Sequence, residues 1–370
     1  MNFIISSSSL LKQLQSISGV IKSKNTLPIL DNYLFDIKGN DLYISASDLE
    51  TSIITKITIN SEENGSISVP KEITDILKTF PDVPLNFNIN FETNEIGISS
   101  DEGKYKLPGY PGDEYPKFPQ LENSSNLLIS SKNLYNAITK TLFAVSTDEM
   151  RPVMNGVYFY FTSEGAIFVA TDAHKLVKYK RTDTKIEEGE VNFIVPPKPL
   201  NILKNLISSE DININVEYNE KNVMFSFGDT KIVSKLIEGR YPNYEAVIPY
   251  DNSKILIIDR ISFLNSIKRI INFANKVTYQ VRLTISGSEI NISSEDLDAS
   301  TTAKERLTCQ YDGEDLEIGF NARFIVEMLS NINTENITIK FSEPNRAGII
   351  SPSDGDSEEE IIMLIMPVMV

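Results

Sequence analysis

Apolar residues recur along this chain in two alternating rhythms. In "NFIISSSSLLKQLQSISGVI", from residue 2, Leu10, Leu14, Ile17 and Ile21 fall three or four apart, the spacing of one helix face, after a short strand and a polar cap. The phrase returns as "NLLISSKNLYNAITKTLFAV" from 126 and "KILIIDRISFLNSIKRIINFA" from 254. A shift of 124 carries the apolar set onto Leu134, Ile138, Thr141 and Val145, and a shift of 253 carries it onto Phe263, Ile267, Ile270 and Ala274. Runs of period two follow each copy, "NDLYISASDLETSIITKITI", "GAIFVATDAHKLVKYK" and "GSEINISSEDLDASTTAKE", and predict strands with one buried face.

A second helix is predicted in "SVPKEITDILKTF" (68–80), "IVPPKPLNILKNL" (194–206) and "IGFNARFIVEMLSNI" (318–332), with Pro70, Pro196 and Asn321 where each helix starts. More alternating runs close each copy. The unit of strand, helix, strands, helix, strands is about 125 residues long, and three units account for the chain as 1–125, 126–250 and 251–370, with boundaries in the polar "QLENSSN" and "PYDNSK". Solenoid repeats run to about 20–50 residues, so this period marks duplicated domains. The predicted class is α+β: three similar domains, helices covering one face of antiparallel sheets.

Composition narrows the classes. With 370 residues, 41% of them hydrophobic, the chain can fill several cores. Its longest apolar stretch, "IIMLIMPVMV", is broken by Pro367 and is shorter than the roughly 18–20 residues of a membrane-spanning helix. "MNFIISSSSLLKQLQS" lacks the basic and apolar regions of a secretory leader, and the single Cys309 fits a reducing cytoplasm. The net charge of −16 argues against a nucleic-acid partner, but the distribution changes that picture. The predicted helical segments (10–24, 71–80, 131–143, 198–206, 260–276 and 321–330) hold fourteen basic and three acidic residues, a local +11 that leaves −27 for the rest. Basic helices gathered on one surface attract phosphate. Lysine also suits any exposed helix position, and the count leaves both readings open.

Six motifs fall in order along the chain: "NTLPIL" (25–30), "RPVMNGVYF" (151–159), "ATDAHKL" (170–176), "EGRYPNYEAVIP" (238–249), "EIGFNARFIVEML" (317–329) and the terminal "MPVMV". With the triplication, they closely resemble the bacterial sliding clamps, the beta subunits of DNA polymerase III, from end to end. The resemblance implies the DNA clamp fold and a head-to-tail homodimer, six domains closed into a ring with helices inside around duplex DNA and sheets outside. It implies a cytoplasmic, nucleoid-associated processivity factor with no catalytic residue, cofactor or metal of its own. Weak, sequence-independent phosphate contacts break and reform as such a ring slides, and the tether raises the polymerase's effective concentration. Lys24 and Lys198 fall where the family has basic residues facing the duplex, and the charge count adds Lys12, Lys140, Lys268 and Arg269.

In the family, the "ATDAHKL" strand end borders a hydrophobic pocket between the second and third domains. The polymerase alpha subunit, the clamp loader, other polymerases and repair proteins dock short linear motifs there. Carried over residue by residue, the pocket comprises Met154, Thr171, Ala173, His174, Lys175, Leu176, Pro242, Val247, Phe324, Gly348, Leu364, Met366, Pro367 and Val368. Flexible methionines and a few polar groups suit a surface that serves several peptides. The chain departs from the family pattern at Ala173 (commonly Gly), Lys175 (Arg), Ala246 (a basic residue) and the terminal "MPVMV" ("MPMRL"), which leaves the peptide preference open. "GKYKLPGYP" (103–111) resembles the first-domain edge that pairs with the third domain of the other subunit, placing Tyr105 and Leu107 against Phe273.

Read without the resemblance, His174 is an ordinary turn residue and the C-terminal run a buried last strand. An enzyme has little to stand on: there is no GxxxxGK[ST] loop, no HExxH, no cysteine pair, and a single histidine. A hydrolase would have to work from carboxylates with Mg²⁺. A non-enzymatic repeat-domain scaffold is the other alternative.

Overall fold

The computed structural model describes residues 1–21, 27–61, 63–207 and 211–369. The first module runs β1 (Asn2–Ser6), α1 (Ser7–Ile17), β2 (Asn32–Lys38), β3 (Asp41–Ser47), β4 (Thr51–Thr58), β5 (Asn60–Ser61), β6 (Gly65–Pro70), α2 (Ile73–Leu77), β7 (Pro84–Asn90), β8 (Glu95–Ser99), β9 (Lys104–Pro108) and β10 (Tyr110–Pro111). The second runs β11 (Ser125–Ser130), α3 (Ser131–Thr141), β12 (Val157–Thr162), β13 (Gly165–Thr171), β14 (Lys175–Arg181), β15 (Glu190–Val195), α4 (Pro197–Leu206), β16 (Asn213–Tyr218), β17 (Asn222–Phe227) and β18 (Thr230–Lys235). The third repeats the order with β19 (Lys254–Asp259), α5 (Arg260–Ile270), β20 (Gln280–Ser286), β21 (Glu289–Asp296), β22 (Thr301–Thr308), β23 (Gln310–Asp312), β24 (Leu316–Asn321), α6 (Ala322–Ser330), β25 (Asn336–Phe341), β26 (Gly348–Pro352) and β27 (Glu359–Ile365).

The helix faces are those the spacing predicts. Leu10, Leu14 and Ile17 are fully buried, as are Leu134, Phe263 and Ile267, while Ile138 and Ile270 are nearly so. Ser6 caps α1 by accepting from Ser9 N–H, Asp259 caps α5 through Ser262 N–H, and Asn321 caps α6 through Arg323 N–H. The three first helices end short of the predicted 24, 143 and 276, at Ile17, Thr141 and Ile270, whereas α4 and α6 end where predicted. Each first helix tightens into a 3₁₀ turn (Ser18–Val20, Leu142–Ala144, Ile271–Phe273), so the fourth member of each apolar set lies beyond it. Pro70 also corrects the prediction: it ends β6 opposite Asn32, and α2 begins only at Ile73.

All the ladders are antiparallel, and each module builds two four-strand blocks. One block takes the first strand and the last three (β1-β7-β8-β9, β11-β16-β17-β18, β19-β25-β26-β27), and the other takes the middle four (β6-β2-β3-β4, β15-β12-β13-β14, β24-β20-β21-β22). The chain forms two compact units, Met1–Tyr135 with Lys198–Leu236, and Asn136–Pro197 with Ile237–Val370. In the first, β4 pairs with β18, Ile53 opposite Ile232, merging two blocks into a nine-stranded sheet. In the second, β14 pairs with β27, Leu176 opposite Leu364, merging two more. Among the described residues β9, β11, β15, β22 and β24 are block ends paired on one side only, and of these β9 and β22 are the counterparts of the strands that merge the other blocks. Phenylalanines anchor the cores, Phe3 stacked on Phe87 at 4.9 Å in the first unit and Phe159 edge-on to Phe168 at 4.8 Å in the second. Each such burial contributes about 1.5–3 kcal/mol.

Candidate functional site

The hairpin between β13 and β14 is built by its own polar side chains. Asp172 Oδ1 accepts from the N–H groups of His174 (2.9 Å) and Lys175 (2.8 Å), and Thr171 Oγ1 donates to Lys175 O (2.8 Å) while accepting from Ala173 N–H (3.1 Å). Closing so tight a loop puts Ala173 at φ 75°, the left-handed region that favours glycine. Thr171 and Lys175 are buried, and Ala173 and His174 stand exposed at the tip.

Around this tip the second unit gathers most of the expected surface. The His174 ring lies near parallel to Phe324 of α6, centroids 6.4 Å apart, and His174 O accepts from Met366 N–H at 2.9 Å. Leu176 and Leu364 sit side by side in a buried cluster that also holds Tyr241 and Ile248 of the following linker, the neighbours of Pro242 and Val247. Gly348 faces Ile365, and a Cβ there would meet Phe320 at 3.2 Å, so the position admits only glycine without a shift. Val368 N–H bonds Gly319 O at 2.9 Å, which ties the terminal segment to β24. Val247 (57%) and Met366 (41%) are exposed apolar residues, Pro242, Pro367 and Val368 are half-buried, and Met154 is buried in a 3₁₀ turn.

Sequence reasoning missed the charges that hold this surface. Lys175, 5% exposed, pairs with Glu327 of α6, stands 3.6 Å from Asp172, and lies over the Phe324 ring at 4.7 Å. Lys178 donates to Glu245 at 2.7 Å, and Tyr250 donates to the same carboxylate at 2.6 Å. Burial works most strongly against the Lys178 charge, but the Glu245 hydrogen bond together with the negative charge of Glu245 and its neighbours outweighs it and holds the ammonium above its usual range. Burial likewise pushes Glu245 up, and Lys178 and Tyr250 pull it below the usual carboxylate range. A signal for the linker was present in the sequence: Tyr115-Pro116-Lys117-Phe118 and Tyr241-Pro242-Asn243-Tyr244 are the same phrase in the two linkers.

The basic set needs correction. Nine of the fourteen residues lie within α1, α3, α4, α5 and α6, and several are spent inside the chain. Lys140 is 8% exposed, pairs with Glu359 at 2.5 Å and lies over the Tyr179 ring, so it is a buried tie and not a phosphate contact. Arg260 donates to Thr334 O and Leu329 O, closing the end of α6. Lys198 donates to Val20 O (2.5 Å) and Asp48 (2.6 Å), and Arg269 holds Glu305 with two hydrogen bonds, so both charges are matched within the chain. Lys24 lies outside the described residues. Lys12 and Lys268 are exposed, as is Lys132, which the charge count included but did not single out.

On the edge strand β9, Tyr105 is 42% exposed and meets Phe80 edge-on at 5.3 Å, and Leu107 is half-buried. Phe273, also 42% exposed, sits on the turn whose carbonyl accepts from Thr301 Oγ1 at the start of β22. Among the described residues no group of three or more His, Cys, Asp or Glu side chains is placed to hold a metal, and no helix is long and apolar enough to cross a membrane.

Three copies of one two-helix, two-block module, merged edge to edge through antiparallel strands, define a protein of the DNA-clamp class. The chain belongs to the DNA polymerase III beta subunit family: the N-terminal, central and C-terminal domains of that family match residues 1–119, 128–243 and 245–368. The beta sliding clamp of Caulobacter vibrioides (strain NA1000 / CB15N) is 30% identical over 350 residues, 93% of this chain and 94% of that protein. That of Staphylococcus aureus (strain Mu50 / ATCC 700699) is 30% identical over 377 residues, 99% of each. Among solved structures, the Bartonella birtlesii sliding clamp bound to griselimycin superposes with a TM-score of 0.94 at 28% identity, covering all of both chains. The protein is thus a processivity factor of DNA polymerase III and not an enzyme.

Proposed function

We propose that two copies of this chain close edge to edge into a ring around duplex DNA, and that the surface about His174 docks the short linear motifs of polymerase, loader and repair proteins. The observation that carries the ring is the edge pattern. Twice within the chain, the last strand of a first-type block pairs with the last strand of a second-type block, β18 with β4 and β27 with β14. Of the strands equivalent to these four, one of each type remains, β9 and β22, and pairing them between copies completes the series head to tail. Tyr105, Leu107 and Phe273 then lie at that junction, and the modules are bounded near residues 125 and 250. Lys12, Lys132 and Lys268 supply sliding contacts to phosphate, with Lys198 and Arg269 joining where a phosphate displaces their carboxylate partners. Such a ring works in the cytoplasm at the nucleoid.

Small-angle X-ray scattering on a size-exclusion column tests the closure. A mass of twice 41.6 kDa with the distance distribution of a hollow ring is expected. A monomer at micromolar concentration overturns it. For the docking surface, a labelled peptide carrying the polymerase alpha subunit's clamp-docking motif is expected to bind the native chain and to lose binding in Met366→Asp.

A further inference from the structure

The repeat supplies a comparison for the place where α6 meets the β13–β14 hairpin. In the first unit the hairpin after β3 is folded in the same way, with Asp48 Oδ1 accepting from Glu50 N–H (3.1 Å) and Thr51 N–H (2.7 Å). A shift of 124 carries Gly19 and Thr51 onto Phe143 and Lys175, and a shift of 125 carries Ile202 of α4 onto Glu327 of α6. The first set is neutral. Thr51 and Ile202 are buried, and a Cβ on Gly19 would meet the Ile202 side chain at 3.3 Å, so α4 packs directly on the turn after α1. Closing this contact needs no ion pair.

The second unit places one there. Lys175 is buried with its ammonium 4.7 Å from the centre of the Phe324 ring and 5.9 Å from that of Phe143, and it pairs with Glu327. Asp172 is no substitute: its Oδ1 already takes the His174 and Lys175 N–H groups, and its Oδ2 stands 3.6 Å from the ammonium. A buried ammonium that loses its close carboxylate turns out to water. Turning out would take Lys175 off the Phe324 ring, which lies beside His174 on the docking surface.

We infer that Glu327 is a positioning residue of that surface: through Lys175 it draws α6 onto the hairpin and holds the Phe324 and His174 rings in the near-parallel arrangement a peptide meets. The inference rests on the docking reading above. A surface set in advance spares the peptide the ordering of its floor, and the apparent dissociation constant rises as the competent fraction falls. Glu327 acts on that fraction and therefore on association, whereas a side chain that touches the peptide acts chiefly on dissociation.

The test follows the labelled clamp-docking peptide by stopped-flow anisotropy on the full chain and on Glu327→Gln, which keeps the side chain's size and removes its charge. Association is expected to slow about fivefold with dissociation unchanged, as for a competent fraction reduced to about one fifth. Glu327→Asp keeps the charge and is expected to stay within about twofold of the native rate. His174 is the one histidine of the chain, so a sample with 13C-labelled histidine gives a single imidazole resonance without any peptide. That resonance is expected to move in Glu327→Gln and to stay near its native position in Glu327→Asp. Native association in Glu327→Gln, or a loss carried by dissociation alone, would overturn the role of Glu327 and leave the docking surface standing. An unmoved His174 resonance would overturn it even if the native chain bound no peptide, the result that removes the docking reading itself.

Discussion

Ala173 carries the cost of the hairpin's tightness. At φ 75° its Cβ crowds the following carbonyl, a penalty of about 1–2 kcal/mol that glycine avoids, partly offset by the extra freedom glycine gives the unfolded chain. Ala173→Gly is therefore expected to stabilise the protein by about 0.5–1 kcal/mol, read as a rise in denaturant midpoint at unchanged slope. Leu49, at φ 72° in the matching hairpin of the first module, makes the same case. Asp48 beside it sets a pH dependence. Burial pushes its carboxyl up, but hydrogen bonds from Lys198, Thr51 N–H and Glu50 N–H outweigh that and hold it below the usual range. A folded-state value below the unfolded one contributes stability that is present above about pH 4 and is lost as pH falls through the folded value. Asp48→Asn is expected to be less stable at pH 7 and to lose less on acidification below about pH 4, and urea titrations at both pH values compare the two slopes.

Helices and strands were legible from spacing because burial imposes it: a face that must meet the core every three or four residues leaves its period in the sequence, as at Leu10, Leu14 and Ile17. What a charge on such an element faces leaves no period. Lys140 reads like any exposed helix lysine, yet its partner Glu359 lies 219 positions away on β27, where Tyr179 also donates to it at 3.0 Å. The linkers at Tyr115 and Tyr241, by contrast, stand in the sequence as a repeated phrase of Tyr-Pro, one polar residue and an aromatic. The distinction predicts opposite phenotypes for two kinds of helix lysine. Lys140→Ala removes one partner of a buried pair and is expected to cost about 3 kcal/mol of stability, with thermal unfolding as the readout. Lys12→Glu with Lys268→Glu, at exposed positions, is expected to leave unfolding unchanged while weakening DNA association and flattening its salt dependence by about one unit of slope per lost phosphate contact. Unfolding that responds to the second pair and not to Lys140 would reverse the assignment of the two kinds.

At the scale of the whole molecule, the proposed closure joins β9 of one copy to β22 of the next, so it can be broken without touching either core. Phe273 is 42% exposed and Leu107 half-buried in the single chain. A charge at Phe273 is solvated in the monomer but loses its water when β22 meets β9 of another copy. Phe273→Asp is expected to weaken the dimer by about 3–4 kcal/mol, on the order of a hundredfold or more in dissociation constant, while the melting of the monomer stays put. Sedimentation velocity across a concentration series reads both states directly: the native chain should hold twice 41.6 kDa at concentrations where the variant runs at 41.6 kDa. Leu107→Asp approaches the same junction from the opposite edge. If closure pairs β9 with β22, it should reproduce the shift, and the two substitutions combined should weaken the dimer by less than their sum, because each removes part of the same contact. A full-strength dimer in both variants would mean that the two strands do not meet, and the ring would have to close through some other surface.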